Sequence, residues 1–307
     1  MAQFIRNLFS QPSVSIQILS DLHLEVNRQY TLFDVPVVSK YLLLAGDIGR
    51  LADYDEYLAF LHKQTEKFEL VFLILGNHEF YGGSFASAFE TVRRLEQEPS
   101  LNGRLVLLHQ RRYDIPDSNV TILGCTLWSD IPENSKDIVH YKIKDFQKIK
   151  DWTIDEHNAA HKSDLSWLHK EVQSIYNTHK INPTKLSKRS VLVATHHAPA
   201  MHRTSSPQHA QNPWSAAFAT DLLSQPWNGV NTWVFGHTHY STEFKEKGIR
   251  VEFKIVGPYG AGGLAEIDEE SIVISASAAA PVKQIIADIA RPMLIISNGF
   301  DVFNRNE

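Results

Sequence analysis

An α/β layered fold is what this sequence predicts, on two observations. Short, unbroken apolar runs stop abruptly at glycine or polar clusters, and stretches with apolar residues at helical spacing lie between some of them. The runs are VSIQILSD, YLLLAGD, VFLILGN, VTILGCTLWS, SVLVATHH and NTWVFGH. Apolar runs of this length without polar alternation are the pattern of central strands buried on both faces.

Taken in chain order, the first helix falls in ADYDEYLAFLHKQTEKF, where Tyr54, Tyr57, Leu58 and Leu61 recur at helical spacing. The second, SFASAFETVRRLEQE, begins at Ser84, a good N-cap type, and sets Phe85, Phe89 and Val92 on one side. The third, DLSWLHKEVQSIYNTH, repeats Leu165, Leu168, Val172 and Ile175 in the same way. The basic stretch THKINPTKLSKRS, residues 178–190, reads as a solvated loop. In the tail, PVKQIIADIA reads as a short helix and MLIIS as a strand. No repeat, low-complexity tract or linker divides the chain, so one domain is expected over 1–307. Its core spans about 15–260, and 261–307 form a C-terminal extension that packs on the body or serves a partner or dimer contact.

A chain of 307 residues can bury roughly three quarters of its unfolded surface, so neither a disulfide nor a metal is needed merely to fold it. The single cysteine, Cys125, sits in an apolar run, reads as strand packing and cannot form an internal disulfide. The start, MAQFIRNLFSQPS, is too short and polar for a secretory core, and no apolar run approaches the roughly 20 residues of a membrane span. A cytoplasmic protein without membrane partners is expected. The formal charge of −5 argues against a broad basic face for nucleic acid.

Five of the expected strands end in residues that bind metals or move protons. After VSIQIL comes Ser20-Asp21-Leu22-His23; after YLLLA, Gly46-Asp47; after VFLIL, Gly76-Asn77-His78-Glu79. After SVLVAT comes His196-His197, and after NTWVF comes Gly236-His237-Thr238-His239. Each has a plain alternative reading. Asp and Asn are common turn formers after strands, Asp21 and His23 could be a cap and a surface histidine, and His196-His197 could be one packed and one exposed ring. The five together favour a site, because Gly46, Gly76 and Gly236 recur at the bend, where a small residue lets the backbone approach a bound ion. In open α/β sheets ligands bind at the carboxyl ends of strands. Carboxylate, imidazole and amide oxygen together suit borderline divalent ions such as Mn, Fe, Zn or Co. Two such ions roughly 3.5–4 Å apart can grip the attacking and leaving oxygens of a phosphoryl group.

In this order, D-x-H, G-D, G-N-H-E, H and G-H-x-H resemble the motifs of the calcineurin-like metallophosphoesterase superfamily, over about residues 15–260. GCTLWSD, HEFYGG, and THHAP followed by SAAFATDLL resemble its small soluble members. The resemblance implies a four-layer α/β/β/α sandwich of two mixed sheets flanked by helices, with a binuclear metal centre at the strand ends. Asp21, His23 and His239 would hold one ion, Asn77, His196 and His237 the other, and Asp47 would bridge them. His78 would protonate the leaving oxygen or stabilise phosphoryl charge. The implied activity is hydrolysis of a phosphate mono- or diester by a hydroxide shared between two divalent ions (Mn, Fe or Zn). The alternatives are a non-hydrolytic use of the same centre and a binding scaffold with a vestigial site.

On the substrate side, His197 reads either as an imidazole supporting the site or as an ordinary packed histidine. Arg203 is a candidate phosphate contact or a solvated side chain. Tyr81, like Trp128, Trp152 and Trp214, could stack on a substrate or fill space in pocket walls expected from loops at 80–85, 128–160 and 198–214. One departure from the family pattern is IVGPYGAGG, where Gly257 stands in place of the asparagine of Asn-Pro-x-Gly. A small phosphate ester is the expected partner; the oligomeric state is left open.

Overall fold

The structure is a computed structural model that describes residues 14–181, 189–209 and 212–253, together with the backbone of strands Ile272–Ser275 and Leu294–Ser297. The first sheet is all parallel, in the order β1 (Ile16–Leu19), β2 (Tyr41–Ala45), β3 (Leu70–Ile74), β4 (Leu105–Leu107). Parallel neighbours need crossovers, and two helices supply them: α1 (Tyr54–Lys67) between β2 and β3, and α2 (Phe85–Glu96) between β3 and β4. Ser84 caps α2 as expected. Its hydroxyl accepts from the Ser87 amide while the Ser87 hydroxyl accepts from the Ser84 amide, so two otherwise orphaned donors are satisfied.

The second sheet is mixed. Strand β5 (Arg111–Asp114) runs antiparallel to β6 (Val120–Cys125); β7 (Ser190–Thr195) and β8 (Val230–Val234) follow in parallel. The hairpin of β9 (Thr242–Glu246) and β10 (Ile249–Phe253) completes it, with β10 against β8. Between β6 and β7 lie α3 (Lys136–Lys142), α4 (Asp145–Lys148) and the long α5 (Ile154–Ile181).

Side-chain alternation explains the unbroken apolar runs. Leu42 and Leu44 of β2 face α1 and α2, packing with Tyr57, Phe60, Phe89 and Val92. Tyr41 and Leu43 face the other way, joining Phe72 and Ile74 against Ile122, Ala194 and Val234 of the second sheet. On the far face of that sheet, Leu123, Val191 and Val193 pack with Leu168, Val172 and Ile175 of α5. The layers are therefore helix, sheet, sheet, helix, as expected. Cys125 is free and fully buried.

Four of these ten strands, β4, β5, β9 and β10, lie outside the expected set; β5 has little apolar content to mark it. The stretch 128–160 is not the loop expected but carries α3, α4 and the start of α5. Helix α5 also runs on through His179 and Lys180 to Ile181, into the stretch read as loop, of which residues 182–188 lie outside the described residues. MLIIS does contain a strand, β12 (Leu294–Ser297), paired in parallel with β11 (Ile272–Ser275). PVKQIIADIA and Gly257 lie outside the described residues.

Candidate metal centre

Five strand ends, three from the first sheet and two from the second, meet at one place. The loops that follow them are stitched backbone to backbone: Asp21 N donates to Gly46 O (3.0 Å), His23 N to Asp47 O (2.9 Å), and Gly236 N to His196 O (2.9 Å). Asp21, His23, Asp47, His237 and His239 all take left-handed backbone angles, with φ of 56°, 48°, 52°, 68° and 50°. Non-glycine residues adopt that region at a cost, and clusters of such residues mark functional sites. The bends also need their glycines. A Cβ on Gly76 would collide with Asp47 Oδ1, one on Gly46 with the His196 ring, and one on Gly236 with Ser20 Oγ and Asp21 Oδ2.

Six of the seven candidate ligands fall into two groups that share Asp47, and a third group, His23 with Glu25 and His78, adjoins the first. Ligand atoms of Asp21, His23, Asp47 and His239 lie within 4.8 Å of one another, and so do those of Asp47, His196 and His237. In the first group His23 Nε2 faces His239 Nε2 at 3.0 Å, and His239 Nε2 is 3.2 Å from Asp21 Oδ1. In the second, His196 Nε2 lies 3.4 Å from Asp47 Oδ1 and 3.2 Å from Asn77 Oδ1. The His196 Nδ1–H donates to Ala45 O at 2.9 Å, which aims Nε2 at Asp47 and Asn77. All except His239 are buried. Two facing imidazole nitrogens and two buried carboxylates with unshared electron pairs turned inward fit divalent cations of the borderline class.

Charge within the cluster is balanced by proximity. Burial alone would raise the Asp47 carboxyl, but the His196, His78 and His23 rings outweigh it and hold it well below the usual range. Asp21 is lowered in the same way: burial opposes, and the bond and charge of His239 with the charge of His196 prevail. His196, despite burial, is lifted to about 10 by Asp47 and Asp21. His237 goes the other way, pushed well below its ordinary value by burial and by the neighbouring His196 charge.

His78 stands at the rim. Burial would lower its pKa, but the Asp47 charge and a 2.7 Å bond between its Nδ1 and Glu25 Oε1 raise it to about 9. Its Nε2 is 3.9 Å from Asp47 Oδ2, and its ring is stacked on Tyr81 at 4.3 Å. Tyr81 therefore does lie beside the cluster. His197 is fully buried behind it, 4.2 Å from the His237 ring and 5.3 Å from Trp128, with neither nitrogen hydrogen-bonded. Arg203 is exposed, with its guanidinium 4.3 Å over the Phe244 ring. Trp128 and Trp152 are buried among aromatic neighbours. A cavity of about 480 Å³ opens beside them, lined in part by Phe85, Trp128, Trp152 and Ser163 and by none of the seven candidate ligands.

Three carboxylates here were not foreseen. Glu79 is buried and binds the first-sheet loops together, accepting from the amides of Asp47 (2.9 Å), Ile48 (2.8 Å) and Gly76 (2.7 Å) and from the Tyr57 hydroxyl (3.0 Å). Burial and the Asp47 charge raise it to about 7. Its place directly after His78 was an available signal. Glu25, two residues after His23, was likewise within reach of a motif reading. Asp145, which accepts from Asn77 Nδ2, has no local signal.

A two-sheet sandwich that gathers aspartate, asparagine and histidine at its strand ends defines a metal-dependent hydrolase class. A model of the calcineurin-like phosphoesterase family matches residues 14–241, and the chain belongs to that family. It is 26% identical over 271 residues to an uncharacterized protein of Acanthamoeba polyphaga mimivirus, covering 79% of this chain and 90% of the relative. Among solved structures it is similar in fold to the phosphopantetheinyl hydrolase of Mycobacterium tuberculosis. There the TM-score is 0.58 at 15% identity, with 81% of this chain and 91% of that chain covered. The family is metal-dependent, and membership makes this chain a hydrolase of the metallophosphoesterase kind. No helix among the described residues is long and apolar enough to cross a membrane.

Proposed function

We propose that this chain hydrolyses a small phosphate mono- or diester at a centre for two divalent ions, Mn, Fe or Zn. The observation that carries the reading is the convergence of six aspartate and histidine donors from two sheets in two groups that share Asp47, with Asn77 Oδ1 3.2 Å from His196 Nε2 beside them. Asp21, His23 and His239 would hold one ion, Asn77, His196 and His237 the other, with Asp47 between them. When bound, such ions activate water and neutralise phosphoryl charge.

The chain's own residues would do the rest. Glu25, bonded to His78 Nδ1, turns His78 Nε2 toward the cluster, 3.9 Å from Asp47 Oδ2, where it could give a proton to the leaving oxygen. Glu79 holds the Asp47 and Gly76 amides together, so the shared carboxylate keeps its place. Tyr81 would bound the substrate side next to His78, and Arg203 would reach phosphate only by leaving Phe244. His197, packed behind His237, would support that ring. A single domain working in the cytoplasm completes the reading.

The test is hydrolysis of nitrophenyl phosphate and of bis-nitrophenyl phosphate by chain reconstituted with Mn²⁺, alongside elemental analysis. Turnover of either ester with about two ions per chain supports the reading. Two bound ions with no turnover of either would move it to a non-hydrolytic centre, and no bound metal would leave a scaffold.

A further inference from the structure

One carboxylate reaches the cluster from outside every strand-end motif. Asp145 opens helix α4, and its side chain is 1% exposed. Its Oδ1 accepts two hydrogen bonds, from Asn77 Nδ2 at 2.8 Å and from the Tyr81 hydroxyl at 2.7 Å. The Tyr81 oxygen in turn accepts from Asn77 Nδ2 at 3.2 Å, closing a triangle. Asp145 Oδ2 is buried and has no hydrogen-bond partner.

An asparagine amide has one accepting end and one donating end. Turned one way it offers a cation its oxygen; turned the other way it presents N–H groups that repel the cation. Asn77 Oδ1 lies on the cluster side, 3.2 Å from His196 Nε2. Rotating the amide by half a turn would set Asn77 Oδ1 against Asp145 Oδ1, two acceptors at hydrogen-bond distance with no proton between them. The same carboxylate holds Tyr81, whose ring stacks on His78.

We propose that Asp145 is a positioning residue: it fixes the Asn77 amide with its oxygen toward the ion held by His196 and His237, and anchors the tyrosine that faces His78. The segment 136–148, which carries no metal motif, thereby sets one coordination position of the centre. The inference rests on Asn77 acting as a ligand.

Calorimetric titration of chelator-stripped chain with Mn²⁺ tests it. In Asp145→Ala the affinity at the Asn77 position should fall by about 10–100-fold, the usual result of losing an outer partner, while the other ion binds within about twofold of wild type. Asn77→Ala combined with Asp145→Ala should bind no more weakly than Asn77→Ala alone. A folded Asp145→Ala with both affinities unchanged, or losses that add in the double variant, overturns the proposal. Wild-type chain that binds no Mn²⁺ removes the functional reading and this inference together. Should Asp145→Ala fail to fold, a crystal structure of the Mn-loaded wild type decides. Asn77 Oδ1 on the ion with Nδ2 on Asp145 upholds the proposal, and any other partner for Nδ2 overturns it.

Discussion

The part of the cluster built on Asn77, His196 and His237 is sealed, whereas the part built on Asp21, His23 and His239 meets solvent through His239, whose side chain is 42% exposed. In the sealed half, ring and amide are each fixed from behind, His196 by Ala45 O and Asn77 by Asp145. In the open half, all three donors sit on left-handed backbone in loops stitched to neighbouring strand ends. Rigid outer contacts preorganise ligands and tighten binding. The difference teaches that the two positions should not hold metal equally: the sealed one should bind tightly and the open one exchange.

The largest expected effect comes from removing the residue common to both halves. Asp47→Asn should weaken both ions, each by more than the about 100-fold that marks the upper end for an outer partner. Elemental analysis finding two ions per chain at wild-type affinity would erase the idea of a shared carboxylate. Next is His78→Ala, which should lower turnover by about 10²–10⁴ while metal content stays intact. If that variant lost its metal instead, His78 would belong to the ligands.

The glycines offer a cleaner division between halves. Gly76→Ala would press on Asp47 Oδ1, the oxygen facing His196, and Gly236→Ala would press on Ser20 and Asp21. Each overpacking should cost about 1–3 kcal/mol in stability. Gly76→Ala should mainly weaken the sealed position and Gly236→Ala the open one. Competitive metal titration that finds the same position damaged by both would show that the halves are not separable.

The smallest effect probes the packing behind the sealed half. His157 accepts from the Ser129 amide (3.2 Å) and lies 5.8 Å from the His197 ring. Burial, helped by the His161 charge, pushes its pKa down to about 3. A histidine kept neutral in this way contributes stability fully above its unfolded value of about 6.5 and loses it as pH falls toward 3. Between pH 7 and 5 that loss is about 2 kcal/mol. Urea midpoints at the two pH values should therefore differ more in wild type than in His157→Gln; equal differences would mean the ring is already charged in the fold.

Legibility followed range. The two capped or amphipathic helices after β2 and β3, and every strand that feeds the cluster, declare themselves within a dozen residues by apolar runs and by Ser84. The hairpin strands β9 and β10 are less plain: TEFKE carries a single large apolar residue, and IRVEF, though it alternates, is only five residues long and takes its place by pairing with β8 on one side and β9 on the other. Asp145 lies in IKDFQKIK, a stretch that reads as any solvated acidic position. Its burial depends on Tyr81 and Asn77 being brought to it. The place of Arg203 was illegible for the same reason: nothing near it in sequence announces the Phe244 ring it covers.

By itself the sequence determined which side chains stand at strand ends and which bends need glycine, since backbone propensity and apolar period act over a few residues. It also determined the donor chemistry of Asp21, His23, Asp47, Asn77, His196, His237 and His239. Only the tertiary structure decided that three ends of one sheet face two of another, that one half is sealed and the other open, and that Asp145 turns the Asn77 amide. Those outcomes depend on how two sheets pack face to face, and packing is a property of surfaces assembled from residues far apart in the chain.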